Sequence, residues 1–132
     1  MLDILNEFET DEKKELEGVL KHYKGASFLV ARARNDNFMA EYSKLAELHN
    51  EVLVLGGDKA SKQSIENTYR AYATTILLGW SGVVDKNKKP VHYSVEKAIE
   101  YLRHKDFFAL ISGWSNDIAN YRKAVEAVEA KN

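Results

Sequence analysis

The chain has no cysteine. This excludes a disulfide framework, a thiol nucleophile and a thiolate metal site, and it is compatible with a reducing compartment. Charge of one sign is equally scarce. Nineteen Lys and Arg against twenty Asp and Glu leave a net charge of -1, so no long-range field steers nucleic acid or anionic lipid toward the chain. Long apolar runs are missing too. The most apolar stretch, Ala71 to Trp80, is broken by Thr74 and Thr75 and falls far short of the about 20 residues of a membrane span. The start, Met1-Leu-Asp-Ile-Leu-Asn-Glu-Phe-Glu9, is acidic. A secretory signal needs a basic start and a longer apolar core, so the expectation is neither leader nor membrane segment.

What is present is ordinary globular material. The 132 residues are 45% hydrophobic and 30% charged, which suits one domain with one core. A chain of this size buries roughly two-thirds of its unfolded surface. We read 1–132 as that domain, with residues 1–15 able to be a flexible lead.

Periodicity predicts a mainly α fold: a single helical domain of four or so helices with a short N-terminal β-hairpin. Residues 12–34 admit two readings. Leu16, Val19, Leu20 and Tyr23 fit a helical stripe. The alternation of Val19, Lys21 and Tyr23, a Lys24-Gly25 turn and a returning Phe28-Leu29-Val30-Ala31 fit a hairpin, which we favour because Ser27, Phe28 and Val30 suit strands. Asn35 or Asp36 can cap a helix carrying Phe38, Tyr42, Leu45, His49 and Val52, ended by Gly56-Gly57. Asp58 or Ser61 opens a second, striped by Ile65, Tyr69, Tyr72, Ile76 and Trp80 and closed by Gly79 and Gly82. Val83-Val84 and Val91–Tyr93 can pair around Asp85–Lys89, and Ser94 caps a short helix with Val95, Ala98, Ile99 and Leu102. Asp106 opens a last, long helix. Its Phe107, Ile111, Trp114, Ile118, Tyr121, Val125 and Val128 follow alternating steps of four and three, a heptad-type seam. The short neighbouring helix cannot cover all of it at about 1.5 Å of rise per residue, so part of the seam is expected to meet another helix, in the same chain or in a partner.

No catalytic constellation emerges. His22, His49, His92 and His104 lie far apart and form no ligand pair with local spacing. Gly79-Trp-Ser-Gly-Val83 lacks the glycine two places after the serine that a nucleophile elbow needs. Gly56-Gly57-Asp58-Lys59-Ala60-Ser61 lacks the spacing of a phosphate-binding loop. Asp106 and Asp117 would sit roughly 16 Å apart on a helix, beyond the about 9.5 Å limit of a glycosidase pair. Gly79-Trp-Ser81 recurs as Gly113-Trp-Ser115, but one coincidence without the accompanying pattern is no repeat. The basic groups Arg32, Arg34, Lys86, Lys88 and Lys89 are split over two loops, which argues against nucleic acid as partner. Trp80, Trp114 and the tyrosines are the strongest candidates for protein contact, although both tryptophans fall on core stripes. The expectation is a protein-binding chain, not an enzyme, with no cofactor and no metal.

The order of features from Trp80 onward carries more. Trp80-Ser-Gly82-Val83-Val-Asp85, then Pro90-Val91-His-Tyr93-Ser94, an apolar helix and Asp117-Ile-Ala-Asn120-Tyr121 resemble the tail assembly chaperones of long-tailed bacteriophages. Glu17-Gly18 and Phe28-Leu-Val-Ala31-Arg32 resemble that family's N-terminal part and favour the hairpin. Lys88 stands where the family's turn usually has glycine, and His92 where proline is common. The resemblance implies a protein of the host cell cytoplasm, absent from the mature virion. It implies binding to the tape measure protein, which is kept soluble until tail tube subunits polymerise around it, and contact with the tail tube protein. A homo-oligomer or a frameshift-extended form of the chain is compatible with it. The residues expected to meet partners are Trp80, Val83, Tyr93, Trp114, Ile118, Tyr121 and Val125. The alternative reading is a small nucleic-acid-associated phage or bacterial protein that uses the two basic loops.

Overall fold

The computed structural model describes residues 1–123. Two short helices open the chain, α1 (Ile4–Phe8) and α2 (Glu12–Glu17). Each begins at an aspartate whose carboxylate accepts from the freed backbone: Asp3 from Asn6 N, Asp11 from Lys13 N and Lys14 N. Strands β1 (Val19–Tyr23) and β2 (Ala26–Val30) follow as an antiparallel hairpin. Both turn residues, Lys24 and Gly25, have positive φ, the geometry whose twist matches paired strands. The rest is α3 (Asp36–Leu48), α4 (Asn50–Leu55), α5 (Gly57–Thr75), β3 (Leu77–Ser81), α6 (Val95–Leu102), α7 (Lys105–Asn116) and a 3-10 turn (Ile118–Tyr121).

The fold is therefore mixed, not mainly α. Among the described residues there are seven α-helices and one three-stranded antiparallel sheet in the order β1-β2-β3. The hairpin expected near the N-terminus exists, but as two strands of this larger sheet. The third strand replaces the last turn of the helix expected to run through Trp80. Local chemistry weakens that helix at Thr75, and pairing with the free edge of β2 ends it. Thr74, Thr75 and Ile76 are β-branched and crowd a helical turn. The Thr74 and Thr75 hydroxyls donate back to the carbonyls of Arg70 and Ala71, spending the side chains on the helix end. Leu77–Ser81 then completes the second edge of β2, with Phe28 opposite Trp80. The four-residue step from Ile76 to Trp80 is a helical spacing by coincidence.

The long terminal helix is likewise shorter than expected. α7 ends at Asn116, because Asp117 turns extended and its carboxylate accepts from Ala119 N to start the 3-10 turn. The heptad spacing thus stops being one face after Trp114. Phe107, Ile111 and Trp114 are spent inside the molecule, packed against the core. Val125 and Val128 lie outside the described residues. The first central helix is also divided, at His49, into α3 and α4.

The core lies between the inner face of the sheet and the helices. Ala26, Phe28 and Val30 of β2 meet Tyr72, Ala73 and Ile76, then Ala98, Ile99 and Leu102 of α6 and Ile111 of α7. Fully burying each such aliphatic side chain is worth about 1.5–3 kcal/mol. The other face of the sheet is open, where Leu20 is 62% exposed.

Two phenols staple this core. Tyr121, fully buried, donates to the Val30 carbonyl at 3.0 Å, and the Arg32 guanidinium sits 5.4 Å over its ring. Its own carbonyl accepts from Asp11 N at 2.7 Å, tying the end of the described chain to α2. Tyr93 donates to the carbonyls of Ala73 and Leu77, where α5 gives way to β3. Ion pairs Arg122–Glu7 and Lys123–Glu9 lie at the surface and add little.

Burial pushes both phenols above their usual range. The unfolded chain ionises tyrosine near pH ~10, while the folded chain keeps these two neutral. Their contribution is complete below that pH and is lost as pH rises through it. We predict a thermal midpoint that is flat up to about pH 9 and falls above about pH 10. Tyr121→Phe should lose about 1 kcal/mol at neutral pH and flatten the alkaline decline; an unchanged slope in pH-dependent melts would contradict the assignment. A glycine pair gives a second check. Gly82 has φ +74, and a Cβ there would stand 2.6 Å from the Gly25 carbonyl oxygen. Gly82→Ala should cost about 2–4 kcal/mol. Gly113, inside α7 with open space at its Cβ position, should gain about 0.5–1 kcal/mol on substitution by alanine. Urea titration of both variants measures the contrast.

Candidate docking groove

The connector from Gly82 to Ser94 forms the loop that its sequence suggested. Val84 bridges Pro90, Val91 N donates to the Val83 carbonyl, and Asp85 N donates to the Lys89 carbonyl. The Asp85 carboxylate accepts from Asn87 N and Lys89 N, closing the tip. Lys88 adopts φ +64 there, so lysine bears the conformation that glycine would accept at less cost.

The loop is braced from behind by aromatic rings. Trp80 Nε1 donates to the Val91 carbonyl at 2.7 Å. Its ring meets Tyr93 edge-on at 5.1 Å and Tyr101 at 5.6 Å. Ser94 caps α6 by accepting from Lys97 N, and α6 then presents Lys97, Glu100 and Tyr101 on one side.

These parts enclose an apolar groove of about 650 Å³. Phe28, Tyr101 and Phe107 form its floor, and Val83 and Val84 one wall. Asp85, Lys86, Lys97, Glu100 and His104 complete the lining. A second hollow of about 540 Å³ shares Phe28 and Phe107 with it and continues over Tyr23, Asp106, Ala109 and Leu110. Phe107 therefore borders both hollows. Val84 lines the first and Tyr23 the second, each 47% exposed. Lys97 and Glu100 pair at 2.9 Å, and each holds the other in its charged form, chiefly by their hydrogen bond. Among the described residues no three His, Asp or Glu side chains gather as a metal set. The arrangement is suited to covering an apolar surface.

The residues singled out in the sequence are distributed unevenly around this groove. Val83 lines it. Trp80 and Tyr93 stand behind its wall. Trp114 touches Phe28 at 5.9 Å and packs against the core without lining the groove. Ile118 is half-buried in the 3-10 turn and Tyr121 is fully buried beside Val30. Val125 lies outside the described residues. Sequence reasoning missed the convergence of Phe28, Val84, Tyr101 and Phe107, which come from a strand, a loop and two helices. The available signal was weak: Tyr101 falls off the stripe of Val95, Ala98, Ile99 and Leu102, yet it is aromatic.

No curated protein and no solved structure matches the chain. A family model, that of the YdaY prophage protein, matches residues 23–132. The matched region begins at Tyr23, the last residue of β1, and takes in the hairpin turn, β2, β3, the described helices from α3 onward and the whole braced loop. The chain is thus a phage-derived protein and belongs to the YdaY prophage protein family.

Proposed function

We propose that this prophage protein is a tail assembly chaperone. It binds the tape measure protein, holds it soluble in the host cytoplasm, helps recruit tail tube subunits and leaves before the virion is complete. It works by covering surface, with no reaction catalysed and no cofactor.

One observation carries the reading. Two of the three later segments of the resemblance, Trp80 to Asp85 and Pro90 to Ser94, build and brace the groove wall, while the third, Asp117 to Tyr121, packs against the core at Val30. Val83 and Asp85 line it, while Trp80 and Tyr93 fix their positions. A long helical client exposes apolar stripes before assembly, and such stripes aggregate unless covered. A groove of this size covers a few side chains per copy, so a single contact is modest and reversible. Several copies along one client supply the avidity.

Co-expression tests this. The tape measure protein of the same prophage, produced alone, should sediment with the insoluble fraction and move to the soluble fraction when this chain is produced with it. Copurification through a tag on either partner should follow. A client that is equally soluble without this chain, or that stays insoluble with it, would reject the reading.

A further inference from the structure

The first eight residues concentrate exposed apolar side chains. Leu2, Ile4, Leu5 and Phe8 are 56–80% exposed, and α1 contains no buried residue. Ile4 and Phe8 stand one turn apart and share a side of the helix. The described end of the chain is tied down beside them. Thr10 bridges Arg122 in the antiparallel sense, and Lys14 Nζ donates to the Arg122 carbonyl at 2.9 Å. Arg122 pairs with Glu7 at 3.3 Å and Lys123 with Glu9 at 2.6 Å. An antiparallel bridge sends its two chains in opposite directions. The step from Thr10–Arg122 to Glu9–Lys123 follows that sense, so the chain leaving Lys123 is aimed back along α1.

We propose that the occupant of this α1 face is the chain's own segment 124–132, with Val125 and Val128 lying over Ile4, Leu5 and Phe8. The segment is outside the described residues, and its sequence carries the matching pattern. Read as a helix, Ala124, Val125 and Val128 fall on one side, with Glu126 and Glu129 on another. Nine residues make about 14 Å of helix, enough to span the five residues of α1. The tether decides for this segment over a separate molecule. It follows directly on a residue already paired with Glu9, which puts its effective concentration at the face at the millimolar order or above. Closing so short a connection costs little chain entropy. Apolar surface left open at both ends of the chain would otherwise invite association. The ion pairs at Glu7 and Glu9 add little affinity, but they fix where the segment starts. The inference stands apart from the groove and from any client.

The lack of cysteine allows a direct test in the full chain. Leu5→Cys with Val128→Cys, and Leu5→Cys with Glu126→Cys, are oxidised under identical mild conditions. A disulfide needs Cβ atoms about 3.5–4.5 Å apart. The first pair should close an intrachain bond at least about tenfold faster than the second, seen as a mobility shift in non-reducing electrophoresis that a reductant reverses. Hydrogen–deuterium exchange gives an independent reading. The amides of Glu7 and Glu9 donate to the Asp3 and Leu5 carbonyls and report on α1. Val125→Asp with Val128→Asp should speed their exchange about tenfold or more, while the amides of Phe28 and Val30 exchange as in the parent chain. Equal closure rates for the two cysteine pairs would overturn the inference. So would unchanged exchange at Glu7 and Glu9, or a covalent dimer as the main oxidation product, which would give the face to a second copy. Should the aspartates also loosen Phe28 and Val30, the cysteine pairs alone decide.

Discussion

The central strand constrains everything else. β2 is the one described strand paired on both sides, and its inward residues Ala26, Phe28 and Val30 are all buried. The side-chain period of a strand is two, so a slip of one residue would turn all three outward. Register is therefore set by burial, and the positive-φ turn at Lys24-Gly25 agrees with it. From this strand the rest is positioned. Val30 receives the Tyr121 hydroxyl, Ala31 N donates to the Ile76 carbonyl, and Phe28 meets Phe107 at 5.7 Å. The strand that organises the core also supplies the floor of the groove.

This double use explains the form of the candidate site. Phe28 is 5% exposed, so the groove touches the margin of the core and is held by it. A side chain fixed by packing presents its surface at little entropic cost on binding. The loop wall gains the same rigidity from another source. The Asp85 carboxylate satisfies the tip, Trp80 holds Val91, and Tyr93 anchors the loop to the junction of α5 and β3. Other apolar surface is exposed without such support. Leu48, Val54 and Leu55 of α3 and α4 are 70–85% exposed, but none of them lines the groove.

Much of the local structure was legible from residue types. The hairpin turn, the Asn35 and Ser94 caps, the helix break at Gly56 and the Asp85–Lys89 loop all follow from short-range chemistry that needs no tertiary context. What was not legible depends on distant partners. The run Ile76-Leu77-Leu78 reads equally as buried helix or buried strand, and the unpaired edge of β2 decides it. The seam from Phe107 onward keeps helical spacing past the point where Asp117 caps a new turn, so periodicity alone overextends α7. The groove was invisible for the same reason: Phe28, Val84, Tyr101 and Phe107 are separated by up to 79 positions and share no motif. The braced loop behind it was the part the sequence displayed.

The proposed role requires a client helix to be covered by the groove that Phe28, Tyr101 and Phe107 line. Hydrogen–deuterium exchange of the chain, alone and in complex with the co-expressed tape measure protein, tests it most directly. New protection is expected at 83–86 and 97–107, with 48–55 unchanged. Protection confined to 48–55, with the groove segments exchanging as in the free chain, would contradict it.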